Sequence, residues 1–321
     1  MTDEEIDELL AQIRAQQAED QVKEEQKMKE EELRKAREAE AASKKRGGRT
    51  HRNLILNILL VFFAAVFIIS GVYLFKYYYD SKQNKKLVSS LKEMIEDDGS
   101  GSDDPSSPNY KPSNAKVPEF VTVGDRRLQR KFRALYEKNN DFVGWLTVEG
   151  TNIDFPVMYT PDQEQKYLRK NFDGDYALAG TLFIAAASDP FKPTTNVIIY
   201  GHNMKDGSMF SDLLSYKDES FYQEHKRIRF DTLEGNGTYE VIAAFPGQVL
   251  NVGEEGFRYY DFYDAASTEE FDTYISEIKS RCTYQIPTTA GFGDHLITLS
   301  TCENSGASEG KRFVVVAKRI D

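Results

Sequence analysis

The sequence predicts a mainly β protein, an eight-stranded closed β-barrel with a few peripheral helices, preceded by a single transmembrane helix and a charged N-terminal helix. Three observations carry that expectation. Between about residue 119 and the C-terminus, eight short runs rich in β-branched and aromatic residues are separated by turn formers and only two longer helical patterns. Residues 54–75 form a stretch of 22 residues without a charge, which as a helix extends roughly 33 Å and is long enough to cross a bilayer. Residues 1–46 contain neither proline nor glycine and are crowded with Glu, Lys, Gln, Arg and Ala, all strong helix formers.

The charged tail, residues 1–53, is expected to be a solvated cytoplasmic helix. Ile6, Leu9, Leu10 and Ile13 make a short apolar stripe, but only Val22, Met28 and Leu33 follow, too sparse for a heptad seam. The apolar run at 54–75 is longer than the core of a secretory signal and is followed by Lys76, Tyr77, Tyr78 and Tyr79 rather than a small-residue cleavage site, so it reads as an uncleaved anchor. Lys44, Lys45, Arg46, Arg49 and Arg52 precede it, and Lys76, Lys82, Lys85 and Lys86 follow it. That balance favours a cytoplasmic N-terminus only slightly.

Residues 76–118 are expected to be a stalk, helical over 81–96 and then a linker. The linker runs from Asp97-Asp98 through Gly-Ser repeats to Asp103-Asp104-Pro105 and Pro108, too polar and breaker-rich to pack. The globular unit, 119–321, opens on a predicted amphipathic helix over 125–139, with Asp125 as N-cap and Leu128, Phe132, Leu135 and Tyr136 on one face. Strands are expected at 143–148, 153–158, 181–185, 196–200, 227–233, 238–245, 296–301 and 312–319, with helical pieces at 209–225 and 268–282; the sheet is expected to be largely antiparallel.

The net charge of −11 argues against a nucleic-acid partner, which requires a basic face. Two cysteines are too few for a disulfide framework. Cys302 nevertheless stands out, because it ends an apolar strand and opens a glycine-bearing loop, where a thiol is both fixed and accessible. Cys282 follows the helical pattern of Phe271, Tyr274, Ile275 and Ile278 and reads as a core residue. His202 also follows an apolar strand and a glycine. Arg312 begins the last strand, so a hairpin would return its guanidinium toward the thiol. Imidazole moves protons near neutral pH, and a guanidinium keeps its charge and donates to a developing oxyanion. His51, His225 and His295 read as surface residues. No zinc-like spacing, calcium signature or phosphate loop is present, so no metal or cofactor is expected.

Thr298-Leu-Ser-Thr-Cys302, with Arg312 ten residues on and Tyr200-Gly-His202-Asn upstream, closely resembles the sortase family, over about 126–321. The Gly-His-Asn-Met204 turn, the helical insertion at 209–221 and the long helix before the cysteine strand resemble class B. The N-terminal tail is longer than in that class. The resemblance implies that Cys302 attacks the carbonyl of a threonine in a C-terminal sorting signal of a secreted protein, forming a thioacyl intermediate. His202 would protonate the departing amine and accept a proton from the incoming one, while Arg312 would hold substrate and stabilise the oxyanion. Ser300, Thr301 and Glu303 would contact substrate, Glu303 through its backbone N–H as a second oxyanion donor. The acceptor would be a peptidoglycan cross-bridge amine or, alternatively, a pilin lysine, with the catalytic domain facing the cell wall and both cysteines free. Sorting signals beginning with asparagine or serine before proline belong to the same implication.

Other readings are weaker on the residues themselves. A papain-type hydrolase places its cysteine before its histidine, the reverse of His202 and Cys302. An L,D-transpeptidase has histidine and glycine just before its cysteine, where this chain has Ser300 and Thr301. A non-enzymatic membrane adaptor would not need all three of Cys302, His202 and Arg312.

Overall fold

A computed structural model describes residues 3–95, 119–192, 194–251, 253–303 and 310–321; the first helix has described side chains at 16, 18–43 and 54–93. That helix, α1 (Asp3–Glu93), is continuous over 91 residues. The chain divides into two compact units, Met1–Phe75 and Lys76–Asp321. In the first, i,i+4 ion pairs Lys23–Glu19, Lys35–Glu31 and Arg34–Glu38 join exposed side chains along the helix. Each contributes only a few tenths of a kcal/mol. The apolar stretch is exposed throughout, and among the described residues it lies in the one helix long and apolar enough to cross a membrane. The predicted linker, 97–118, lies outside the described residues.

The second unit begins with the last part of α1. A stalk separate from the barrel is expected over 76–118, but residues 76–95 pack within the barrel's unit: Leu91 is fully buried among Leu128, Phe132 and Phe142, and Lys92 pairs with Asp154. A hairpin follows, β1 (Phe120–Val123) with β2 (Arg126–Gln129). This corrects the helix expected over 125–139. Gly124 at φ 59° makes a turn around Asp125, which caps nothing, and helix is confined to a 3₁₀ turn at Arg130–Phe132 and α2 (Arg133–Lys138). Leu128, Phe132 and Leu135 are buried as expected, but Leu128 reaches the core from a strand.

Eight strands close the barrel: β3 (Phe142–Thr147), β4 (Asp154–Met158), β5 (Leu182–Ile184), β6 (Asn196–Tyr200), β7 (Arg227–Thr232), β8 (Thr238–Gln248), β9 (Leu296–Cys302) and β10 (Lys311–Arg319). Their order around it is β10-β8-β7-β3-β4-β5-β6-β9. Most pairs are antiparallel, but β4 with β5 and β6 with β9 are parallel, so the barrel is mixed. The β6–β9 pair requires a long crossover. That crossover holds a 3₁₀ segment (Ser211–Lys217) and α3 (Glu219–Glu224) where one helical insertion is expected, then β7, β8 and α4 (Thr268–Ser280).

Alternation along the strands makes two cores. Ile297 and Leu299 of β9, Val315 and Ala317 of β10, and Val197 and Ile199 of β6 fill the barrel. Leu296, Val314, Val316 and Phe245 point outward beneath α4, where Phe271, Tyr274, Ile275 and Ile278 cover them. Ser267 caps α4 through the Glu270 N–H at 3.2 Å. The third cluster joins the hairpin, α2 and Leu91 to the outer side of β3 and β5.

Candidate active site

The crossover sets the site. Because β6 and β9 are parallel with Tyr200 opposite Ser300, His202 and Cys302, each two residues further on, emerge side by side from one end of the barrel. On the other side of β9 the antiparallel register pairs Cys302 with Arg312. Neighbouring strands are about 4.8 Å apart, so the three residues expected from the sequence occupy consecutive positions across β6, β9 and β10. Residues 297 and 299 face the interior, whereas Ser300 reaches Tyr259 of the outer layer. By strand alternation Cys302 and its cross-strand partner Arg312 therefore face outward. All three side chains are half-buried.

Backbone and side-chain bonds hold the β6 and β9 ends together. The Gly201 N–H donates to the Ser300 carbonyl at 3.2 Å. Asn203 Nδ2 donates to the carbonyls of Cys302 (3.2 Å) and Glu303 (3.3 Å). Only glycine fits at 201, since a Cβ there would lie 2.4 Å from Leu182 Cδ2 and 2.6 Å from the Phe210 ring.

His202 Nε2 lies 2.9 Å from the Leu168 carbonyl. A carbonyl only accepts, so Nε2 carries the proton and Nδ1 is the basic nitrogen of the neutral ring. Leu168 is the last residue but one of a 3₁₀ segment (Pro161–Arg169) packed against Gly180, which sits at φ 60°; a Cβ there would be 2.6 Å from the carbonyls of both Tyr167 and Leu168. Burial lowers the His202 pKa below its ordinary 6.5; the Leu168 carbonyl opposes this, and the charges of Arg169 and Arg312 add to it. The imidazole is thus neutral at pH 7. In a titration followed by NMR its midpoint should fall below 6.5, and Arg312→Ala should move it upward, because removing a nearby positive charge makes the imidazolium less costly. A midpoint unmoved by Arg312→Ala would show that the guanidinium does not act on the ring.

The three residues expected to contact substrate have these places in the structure. Ser300 is 1% exposed and its hydroxyl is 2.8 Å from Tyr259 Oη; burial pushes the Tyr259 phenol up to about 12 and the Ser300 bond partly offsets this. Thr301 is 2% exposed on the interior face and donates to the Gly201 carbonyl at 2.8 Å. Both hold the floor of the site rather than its open face. The Glu303 N–H, expected as an oxyanion donor, already donates to the Lys311 carbonyl at 3.2 Å across the hairpin, and its carboxylate pairs with Lys217 at 2.8 Å. Residues 304–309 of the following loop lie outside the described residues.

Both cysteines are unpaired. Cys282 packs beneath α4 with its thiol 3.3 Å from the Ile278 carbonyl, and burial raises its pKa. His295 is exposed, as expected; His225 is not a plain surface residue, since its ring packs at a tilt against Phe221 with centroids 4.2 Å apart and bonds the Glu149 carbonyl at 2.8 Å. The His51 side chain lies outside those described. Leu168, Asn203 and Tyr259 are the supporting residues that sequence reasoning missed. Only Asn203, inside the Gly-His-Asn turn, carries a sequence signal.

A cysteine flanked in register by a histidine and an arginine on adjoining strand ends has the residue types that cysteine-based acyl transfer needs. Residues 146–320 match the Sortase domain model. The chain belongs to the sortase family, in its class B, whose members are cysteine transpeptidases. It is 28% identical over 259 residues to sortase B of Listeria monocytogenes serovar 1/2a, covering 79% of this chain and 92% of that protein. The crystal structure of sortase B from B. anthracis in complex with AAEK1 is similar with a TM-score of 0.59 and 27% identity, over 76% of this chain and 99% of that one. The Staphylococcus aureus sortase B–substrate complex is similar with a TM-score of 0.55 and 29% identity, over 60% and 86% of the two chains.

Proposed function

We propose that this chain is a membrane-anchored sortase that cleaves a C-terminal sorting signal of secreted proteins after threonine and transfers the protein to an amine of the cell-wall peptidoglycan cross-bridge. The observation that carries the reading is the alignment of His202, Cys302 and Arg312 at the adjoining ends of β6, β9 and β10. Cys302 gives its thiol proton to Nδ1 of the neutral His202 ring as its sulfur adds to the threonine carbonyl carbon, and the oxyanion forms beside the Arg312 guanidinium. The C–N bond then breaks as His202 supplies a proton to the departing amine, leaving a thioacyl enzyme. The incoming amine gives a proton to His202 as it attacks the thioacyl carbon, and His202 passes that proton to the departing sulfur as the C–S bond breaks, which restores the thiol and the neutral ring. Residues 54–75 meet membrane lipid, the N-terminus is cytoplasmic, and the catalytic unit faces the wall.

The test uses the full chain in detergent with a peptide library whose members place asparagine or serine before proline and a threonine at the cleavage point. Glycine peptides, a diamino-acid stem peptide and a lysine-bearing peptide are added as amines. Cleavage after threonine with transfer to a wall-type amine in preference to water is expected. Transfer only to the lysine peptide would move the assignment to pilin polymerisation; no thiol-dependent cleavage of any member would overturn it.

A further inference from the structure

The loop that begins at His202 is braced from two sides. Toward the site, the His202 carbonyl accepts from the Phe210 N–H at 2.8 Å, and Asn203 bridges to Met209. Met209 is held at φ 58°, a conformation that a buried non-glycine residue keeps only where its surroundings over-determine it. Ser211 Oγ accepts from the Met204 N–H at 2.9 Å, which closes the loop on itself.

On the other side stands one carboxylate. Asp206 Oδ1 accepts from the Ser208 hydroxyl (2.6 Å) and the Ser208 N–H (3.2 Å), inside the loop. Its other oxygen, Oδ2, accepts from Ser81 Oγ and lies 3.3 Å from Lys85 Nζ, both on α1. Burial alone would raise the Asp206 pKa, but the Ser208 and Ser81 bonds and the Lys85 charge outweigh it and hold the group at about 2. The link is therefore anionic throughout the working pH range.

Apolar packing at this junction is partial: Val88 of α1 and Met204 of the loop are half-buried against the barrel core. A cavity of about 350 Å³ lies between α1 and the loop, lined by Tyr77, Asn84, Val88, Phe155, Met204 and Ser208 among others. In a close-packed contact one polar bond is backed by many van der Waals contacts; where the cavity opens, the polar link is the direct tie between α1 and the loop. The helical segment is itself fixed independently, by buried Leu91 and by Lys92 on Asp154, and so provides a firm support.

We propose that Asp206 is a positioning residue that ties the 76–93 part of α1 to the His202 loop, so that this helical segment sets where the imidazole stands during acyl transfer. The inference rests on the proton-transfer role given to His202 above. Acyl transfer is sensitive to such placement, since a displacement of about 1 Å away from the chemistry costs up to roughly a hundredfold.

The test compares full-length chains in detergent. The double variant Ser81→Ala with Lys85→Ala leaves every residue of the loop intact and favours helix. Its turnover at saturating sorting peptide should fall on the order of tenfold, with the peptide KM within about a factor of two, and Asp206→Ala should do the same. A double variant with wild-type kcat, or one whose KM rises while kcat stands, overturns the proposal even if its melting temperature drops. Should Asp206→Ala fail to fold, the double variant alone decides. His202→Ala separates the two assignments: if it keeps full activity the proton-transfer role fails, whereas its inactivity together with a fully active double variant sinks only the positioning role.

Discussion

Replacing Cys302 by alanine should remove transpeptidation, with peptide cleavage falling on the order of 10⁶-fold, while the fold survives. The size follows from losing the one atom that becomes bonded to substrate, a loss that leaves only binding and oxyanion contacts to act on water. Stability should change by about 1 kcal/mol or less, because Cys302 is half-buried at a strand end and belongs to none of the three apolar clusters. Its carbonyl, which accepts from Asn203, remains in place. Cys282→Ala is the matched control: it removes a buried sulfur from beneath α4, lowers stability modestly and leaves turnover unchanged. Mass spectrometry of peptide products, with thermal melts of both variants, reads the outcome. In cells, Cys302→Ala should lose surface display of substrates with its own abundance unchanged. Retained display would return the non-enzymatic adaptor reading.

How much of this was legible depended on whether a residue acts through its own pattern or through a distant neighbour. The barrel strands were readable because one face of each meets the interior, which imposes period two; β9 alternates Ile297 and Leu299 inward with Leu296 and Ser300 outward. Strand β8 runs on to Gln248 although Pro246 and Gly247 read as breakers, because Pro246 and Gly247 pair opposite Phe313 and Arg312 near the strand end. The hairpin at 120–129 was hidden by the spacing of Leu128, Phe132 and Leu135, which a helix would also produce. In the site, strand-end cysteine, histidine and arginine were visible as residue types with accessible positions. The Leu168 carbonyl, 34 residues from His202, and the Tyr259 phenol, 41 residues from Ser300, were not. A main-chain carbonyl has no side-chain signature, and a tyrosine opening a short 3₁₀ turn (Tyr259–Asp261) looks like any other until the fold brings it under the strand. The pairing of the Glu303 N–H was hidden for a related reason: an amide's partner depends on the strand register, and the β9–β10 hairpin gives it the Lys311 carbonyl.

Arg312→Ala should lower kcat/KM by about 10²- to 10³-fold, the usual range for removing a donor at a developing oxyanion. The register places Arg312 directly across from Cys302 on the same face, with Phe313 turned into the barrel next to it, so the hairpin brings the two residues to neighbouring strand positions. Nη1 donates to the Lys311 carbonyl at 3.1 Å, which orients the planar group along its own strand. Arg312→Lys keeps the charge but replaces a flat fork of five donors by a compact, strongly hydrated ammonium. Lysine should therefore recover only part of the loss, well short of wild-type kcat/KM, if directed hydrogen bonding matters, and nearly all of it if charge alone suffices. Both variants should melt close to wild type, since residue 312 lies at the half-exposed start of β10 rather than in the core. An Arg312→Ala enzyme within a few-fold of wild type would remove the guanidinium from the chemistry and leave the oxyanion to main-chain donors, the nearest of which, at Glu303, is already bonded to Lys311.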